Sequence, residues 1–249
     1  MSRHPLDILI RCWASLGAGF DAGPIDAARA EIDLERLLLD TARHATDDAR
    51  LFIMSATWLH RYGDLVAKHR LKRLIRDELG SAEDAEHRAG LGLLLDIAQH
   101  GSHPLEFQTV IKHLQPAPDP HPLFASARSN AKLADLANRK ASPISRRWNL
   151  WCDAFDFKDD ALRPAAWMMA RHPGLRTRAD FRGDLRASIL ASLQHDAGAG
   201  ESEMTLARLA GGSRAQVRLA LANLAMTGRV SATLTAGSRR RRLRLDCTA

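Results

Sequence analysis

The chain has 249 residues but only three cysteines and one tyrosine. Cys12, Cys152 and Cys247 are far apart and odd in number, which excludes a disulfide framework and a CxxC metal knuckle. They read as reduced thiols of a cytosolic protein, so a cytoplasmic location is expected. Long hydrophobic runs are missing as well. The apolar stretch Leu6 to Ile10 is broken by Asp7 and bounded by Arg11, too short for a signal peptide. No other stretch approaches the length of a membrane span, so no membrane partner is expected. Phosphate-cradling glycine motifs are also missing, with no GxxxxGK[ST] and no GxGxxG. No Ser-His-Asp or Cys-His set stands out. The sequence therefore points away from an enzyme and calls for no cofactor.

Eleven histidines raise the question of a metal. His100 and His103 are three apart, with His113 and His121 further on. Zinc sites draw their ligands in tighter pairs, often with cysteine, so no metal site is expected. His103, His121 and His172 each precede a proline, which places them in solvated loops. Asp153, Asp156, Asp159 and Asp160 cluster around Phe155 and Phe157. Such carboxylates can hold magnesium. An acidic loop before a helix at Leu162 explains them more cheaply. Gly212-Ser-Arg-Ala215 resembles the start of the minimal nucleotidyltransferase signature, but that family needs paired aspartates on a following strand. Gln216 to Arg229 contains no acidic residue, so the match is rejected.

What is present is concentrated between Gly183 and Asp246. Leu185, Ile189, Leu190 and Leu193 recur at helical spacing. The loop His195 to Gly200 ends that helix. Ser202 is placed to cap a short helix, with Thr205 close behind and Leu206 and Leu209 on its buried side. Gly211-Gly212 supplies a sharp turn. Ser213 then caps SRAQVRLALANLAMTG, whose apolar seam is Val217, Ala220, Leu221 and Leu224. Gly228 is its stop. At about 100° per residue, an inward Val217 and Leu221 put Ala215, Arg218, Leu219 and Ala222 outward, flanked by Arg214 and Gln216. A small Ala215 lets such a face approach a major groove. Arg214 and Arg218 sit in its first turns, where arginine can pair with guanine O6/N7.

Beyond Gly228, Val230, Ala232 and Leu234 alternate with Ser231, Thr233 and Thr235, the pattern of a half-buried strand. Ala236-Gly237-Ser238 is the turn, and Leu243 and Leu245 alternate with Arg242 and Arg244 on the return. Arg239, Arg240, Arg241 and Arg242 therefore lie at a hairpin tip and its start, where a wing reaches phosphates or a minor groove.

This order of short helix, GGS turn, SRAQVRLALANL and TGRV leading into two strands resembles the winged helix-turn-helix of bacterial transcription regulators. That is the broad class that includes MarR- and ArsR-like repressors. The resemblance covers about a quarter of the chain. It implies that Thr205, Ser213, Arg214, Ala215, Gln216, Arg218 and Arg239 to Arg242 contact DNA. An outward Leu219 departs from the family pattern, where a polar or basic residue is common. The preceding LRTRADFRGDLRASIL looks like the lead-in of uncharacterised bacterial regulators carrying this domain at the C-terminus.

Charge is distributed to match. From Arg163 onward there are 15 arginines, no lysine and 6 acidic residues, a net of +9. The preceding part holds 21 basic and 23 acidic residues, a net of −2. The excess of +7 over the whole chain thus lies with the motif, as expected of a phosphate-binding surface. The alternative is a small domain used for packing or protein contact.

The rest reads as helical. One helix is LDILIRCWASL, broken at Asp21-Ala-Gly-Pro24. Leu34, Leu37, Leu38 and Thr41 share a face. Thr46 precedes Asp47 and Asp48 as a cap opening DARLFIMSATWLHRYG. Lys68, Lys72 and Arg76 form a basic stripe, read as a solvated face in preference to a second DNA-contacting or acidic-partner surface. Ser81 with Asp84 resembles a capping box. Gln115 to Pro122 is proline-rich and reads as a semi-rigid spacer and one candidate domain boundary, with Phe157 to Pro164 as the second. Ser142-Pro143 caps ISRRWNLWCDAF.

The expectation is a mainly α protein. Residues 1–160 form a helical domain for dimerisation, sensing or partner binding, 161–182 a connector, and 183–249 a winged helix-turn-helix with a two-stranded β-wing. The expected partner is double-stranded DNA, bound by a homodimer that regulates transcription, in the main as a repressor. The alternatives are an antitoxin or defence-system regulator whose helical region binds a protein, and an accessory DNA-binding protein of replication.

Overall fold

The computed structural model describes residues 5–22, 31–44, 46–100, 106–234 and 241–246. The described chain is mainly helical and divides into two compact units. One comprises residues 1–63 and 75–172, the other 64–74 and 173–249.

The first unit opens with α1 (Pro5–Ser15), α2 (Leu34–His44) and α3 (Ala49–Tyr62). The cap of α3 is Asp48, not Thr46, because the Asp48 carboxylate accepts from Leu51 N at 3.0 Å. Next comes α4 (Lys68–Glu78), whose residues up to Leu74 belong to the second unit. Then follow α5 (Ala85–Gln99), α6 (Gln108–Ile111), β1 (His121–Pro122), α7 (Ala125–Arg128), α8 (Ala131–Lys140), α9 (Pro143–Arg147), β2 (Leu150–Trp151) and α10 (Ala165–Arg171). Trp13 and Trp58 meet edge to face in the core, 5.5 Å between centroids, and both indole N–H groups are satisfied, by Thr41 Oγ1 and by Leu16 O.

Several expectations change here. The supposed box at Ser81 runs the other way: Asp84 accepts from Ser81 N at 3.3 Å and Oγ at 2.5 Å, and makes no side-chain cap to α5. The hydrogen bond from the Ser81 hydroxyl holds the Asp84 carboxyl below its ordinary value. The proline-rich stretch is not a spacer between domains. Its end forms β1, which pairs in parallel with β2, His121 opposite Leu150 and Pro122 opposite Trp151. Ser142 does cap α9, accepting from Ser145 N at 3.2 Å, but the helix stops at Arg147 and the chain turns extended. Gly92 makes room on α5 for Trp148, whose ring occupies the place a Cβ would take. His172 is buried, its Nε2 at 2.9 Å from Ser15 O, so it is not a solvated loop histidine. Asp153 and Asp156 precede a short 3-10 turn, Asp159–Ala161, which holds Asp159 and Asp160, and α10 starts at Ala165 rather than Leu162.

The second unit holds residues 64–74, α11 (Pro173–Ala179), α12 (Leu185–His195), α13 (Glu203–Ala210), α14 (Arg214–Met226) and the strands β3 (Val230–Leu234) and β4 (Arg241–Leu245). Asp184 caps α12, accepting from Arg186 N at 2.8 Å. Ile189, Leu190, Leu206, Leu209, Val217, Leu221, Leu224 and Val230 form one core, with Leu185, Leu193, Leu243 and Leu245 packed against it. β3 and β4 are antiparallel, from Val230 opposite Leu245 to Leu234 opposite Arg241. The core is thus built from the residues that the helical seams select together with Val230, whereas Ala232, which the strand alternation turns inward, is exposed.

One helix departs from its expected role. Lys68 is only 8% exposed, so its end of the basic stripe is not a solvated face. Arg70 is fully buried, and Asp196 accepts both its Nε at 3.0 Å and its Nη2 at 2.8 Å. Arg73 gives Nη2 to the same carboxylate at 2.8 Å and Nε to Leu209 O at 3.0 Å. Residues 64–74 are therefore keyed into the C-terminal unit by buried charge, which the expected boundaries at 160 and 183 do not include.

Candidate nucleic-acid interface

The site is built on α13, the turn after it and α14. Ser202 caps α13, its Oγ accepting from Thr205 N at 3.0 Å and lying 2.9 Å from the Thr205 hydroxyl. The Thr205 side chain is thus half-buried and engaged at the cap. Gly211 closes α13 with φ +80°, and a Cβ there would lie 2.5 Å from His69 O, so both conformation and space demand glycine. Ser213 then starts α14 through a reciprocal cap. Its Oγ accepts from Gln216 N at 3.3 Å, and Gln216 Oε1 accepts from Ser213 N at 3.0 Å. This arrangement fixes the first turn of α14 and occupies the side chains of Ser213 and Gln216. Gln216 keeps its amide N–H₂ for another partner.

Val217, Leu221 and Leu224 are buried, and Arg214, Ala215, Gln216, Arg218, Leu219 and Ala222 are exposed. The outward face is the one the periodicity selects. Its electrostatics are not evident from the periodicity. Glu203, in the first turn of α13, accepts from Arg218 Nε at 3.1 Å and Nη2 at 3.0 Å through one oxygen, Oε2. Arg214 Nε lies 3.8 Å from that same oxygen. One carboxylate thus faces both arginines of the helix face. Exposure keeps such pairs weak, so the guanidinium groups remain exchangeable. The signal was in the sequence, since Glu203 is the acid nearest the motif's turn, but only folding brings positions 203 and 218 together.

The same face is apolar further along. Leu219 is 76% exposed and Met226 80% exposed, with Ala215 and Ala222 at helical spacing between and beside them.

Arg239 and Arg240, with the turn Ala236-Gly237-Ser238, lie outside the described residues. Arg241 is in β4 opposite Leu234, and Arg242 follows opposite Thr233 with its side chain exposed. Elsewhere in the unit, Arg229 Nη2 donates to Asp180 at 2.9 Å and Arg186 to Asn223 Oδ1 at 2.8 Å, so part of the arginine excess is used in packing.

Among the described residues no group of three or more His, Cys, Asp or Glu is placed to hold a metal ion. No helix there is long and apolar enough to cross a membrane. Burial pushes the Cys152 thiol up to about 12, opposed by a hydrogen bond with Ser145 and helped slightly by Asp153, so it stays protonated. Comparison with protein-family models, curated proteins and solved structures returned no match.

Proposed function

We propose that residues 183–249 form a winged helix-turn-helix and that the protein binds double-stranded DNA sequence-specifically, as a homodimeric transcriptional regulator, in the main a repressor. The observation that carries the reading is the joint between α13 and α14. A left-handed Gly211 and the Ser213–Gln216 cap present an exposed face bearing Arg214, Ala215 and Arg218. An antiparallel pair of strands follows directly, with arginines at the start of its return strand. In this reading α14 is the recognition helix, β3 and β4 are the wing, and Arg239 to Arg242 reach phosphates. The net +9 from Arg163 onward supplies the field that would draw a polyanion. A dimer follows because one small face offers few base contacts and such proteins commonly read two half-sites. Footprinting on the protein's own upstream region, with mass measured by light scattering in free and bound states, tests it. Half-site protection about one helical turn apart is expected.

A second reading draws on Leu219 and Met226. Exposed apolar side chains on a helix face are the usual mark of a protein contact. A winged helix used for protein contact in place of DNA would use them, since both lie on α14. Leu219→Glu separates the two: loss of a protein complex with duplex binding intact favours the protein contact, and loss of duplex binding with no protein complex to lose favours DNA.

A further inference from the structure

The first unit holds a cleft of about 380 Å³ between the segment that follows α1 and the segment that opens α10. Small-molecule sites run from roughly 300 to 1,000 Å³, so its size suits a compact ligand. Its walls are pinned to each other. Arg163 N donates to Gly17 O at 2.8 Å, Tyr62 OH donates to Arg163 O at 3.2 Å, and His172 holds Ser15 O. Gly19 lets the two segments abut, because a Cβ there would lie 2.5 Å from Ala161 O.

The groups that face the cleft have one character. Arg163 and Arg171 line it, against the single acid Asp160. Neither arginine meets a carboxylate among the described residues. Both rings in its lining carry a guanidinium. Arg171 lies 4.4 Å from the centroid of Trp167, and Arg50 lies 5.7 Å from that of Phe20 while its Nη2 holds Gly19 O at 2.9 Å. A guanidinium stacked on a ring keeps its in-plane N–H groups free to fork onto an anion.

We propose that this cleft binds a small planar aromatic anion, its ring against Trp167 or Phe20 and its phosphate or carboxylate taken by Arg163 and Arg171. A cationic ligand would meet two like charges. A bare phosphate would satisfy the arginines and make no use of either ring. The assignment is independent of whether the second unit binds DNA.

The test is calorimetric titration of the full-length protein with adenosine monophosphate, with indole-3-acetate and with inorganic phosphate. Saturable one-to-one binding of at least one aromatic anion is expected, with inorganic phosphate weaker by about tenfold or more for want of stacking. A preference for the nucleotide marks a phosphate ligand, and a preference for the indole acid a carboxylate one. Arg163→Ala and Arg171→Ala should each weaken binding by about tenfold, the scale of a lost charge-assisted hydrogen bond. Trp167→Phe should retain more affinity than Trp167→Ala. The proposal is overturned if neither aromatic anion binds, or if inorganic phosphate binds as tightly. It is equally overturned if the arginine variants, with circular dichroism like wild type, bind as wild type does.

Discussion

Arg70 and Asp196 stand 126 positions apart and meet in the interior of the second unit, Nε and Nη2 on the two oxygens of one carboxylate. Arg73 shares that carboxylate. The pair explains why the basic stretch at 64–74 belongs with the C-terminal part of the chain.

Removing the shared acid leaves two buried guanidinium groups without it. Asp196→Ala should therefore cost about 3–5 kcal/mol, the usual penalty for breaking a buried pair from one side. Urea unfolding followed by circular dichroism measures it. Replacing the acid by asparagine should recover only part, because the amide keeps one acceptor but not the charge. A loss under about 1 kcal/mol for the alanine variant would show that the triad does not hold the segment in place.

His69 gives the second unit a pH dependence. Burial lowers its pKa from the ordinary 6.5, and Lys72 and Lys68 add to the depression, while Asp184 and a hydrogen bond with Gly211 oppose it. With the folded value depressed, the unfolded chain takes up the proton first on acidification. The contribution of neutral His69 is full above 6.5 and is lost as the pH falls through the lower folded value. Urea midpoints at about pH 7.5 and about pH 5.5 should thus differ more in wild type than in His69→Gln. An equal difference in both would remove His69 as the cause.

Glu203 faces both arginines of the proposed reading face. Glu203→Gln removes a negative charge and frees Arg218, so affinity for any duplex should rise several-fold. The salt slope should steepen by up to about 0.9 for each further phosphate that the freed arginines neutralise. Weaker binding with poorer discrimination would instead mean that Glu203 holds Arg218 in its base-reading position.

Arg214→Ala and Arg218→Ala should each relax discrimination between a specific and a random duplex by about 1–3 kcal/mol. Equal weakening on both duplexes would place these arginines on phosphates.

The local features were legible because they are local. Ser202, Ser213 and Gly211 act on neighbours two to four positions away, and the seam Val217, Leu221 and Leu224 follows from helical period alone. The parallel pair of β1 and β2 was not legible, since two residues per strand leave no alternation to detect. Nor was the burial of Arg70 or the approach of Glu203 to Arg218. Charges usually lie on solvated faces, and only the fold supplies the distant partner that reverses the rule. The cleft beside Trp167 escapes the sequence for the same reason, as its walls come from positions around 17 and 163.

The central claim is duplex binding through α14 and the arginine wing, and the salt dependence of affinity tests it most directly. Wild type and a variant with Arg239, Arg240, Arg241 and Arg242 all replaced by alanine are titrated with a duplex from the protein's own upstream region and with a random duplex. Salt is varied from about 50 mM to about 200 mM. The account predicts tighter binding of the upstream duplex by wild type. In the variant it predicts weaker binding of both duplexes and a slope of log K on log salt smaller by about 0.9 for each of roughly two to three phosphates no longer neutralised. A folded wild-type protein that binds neither duplex at the low salt, or a slope unchanged by the four substitutions, would contradict it.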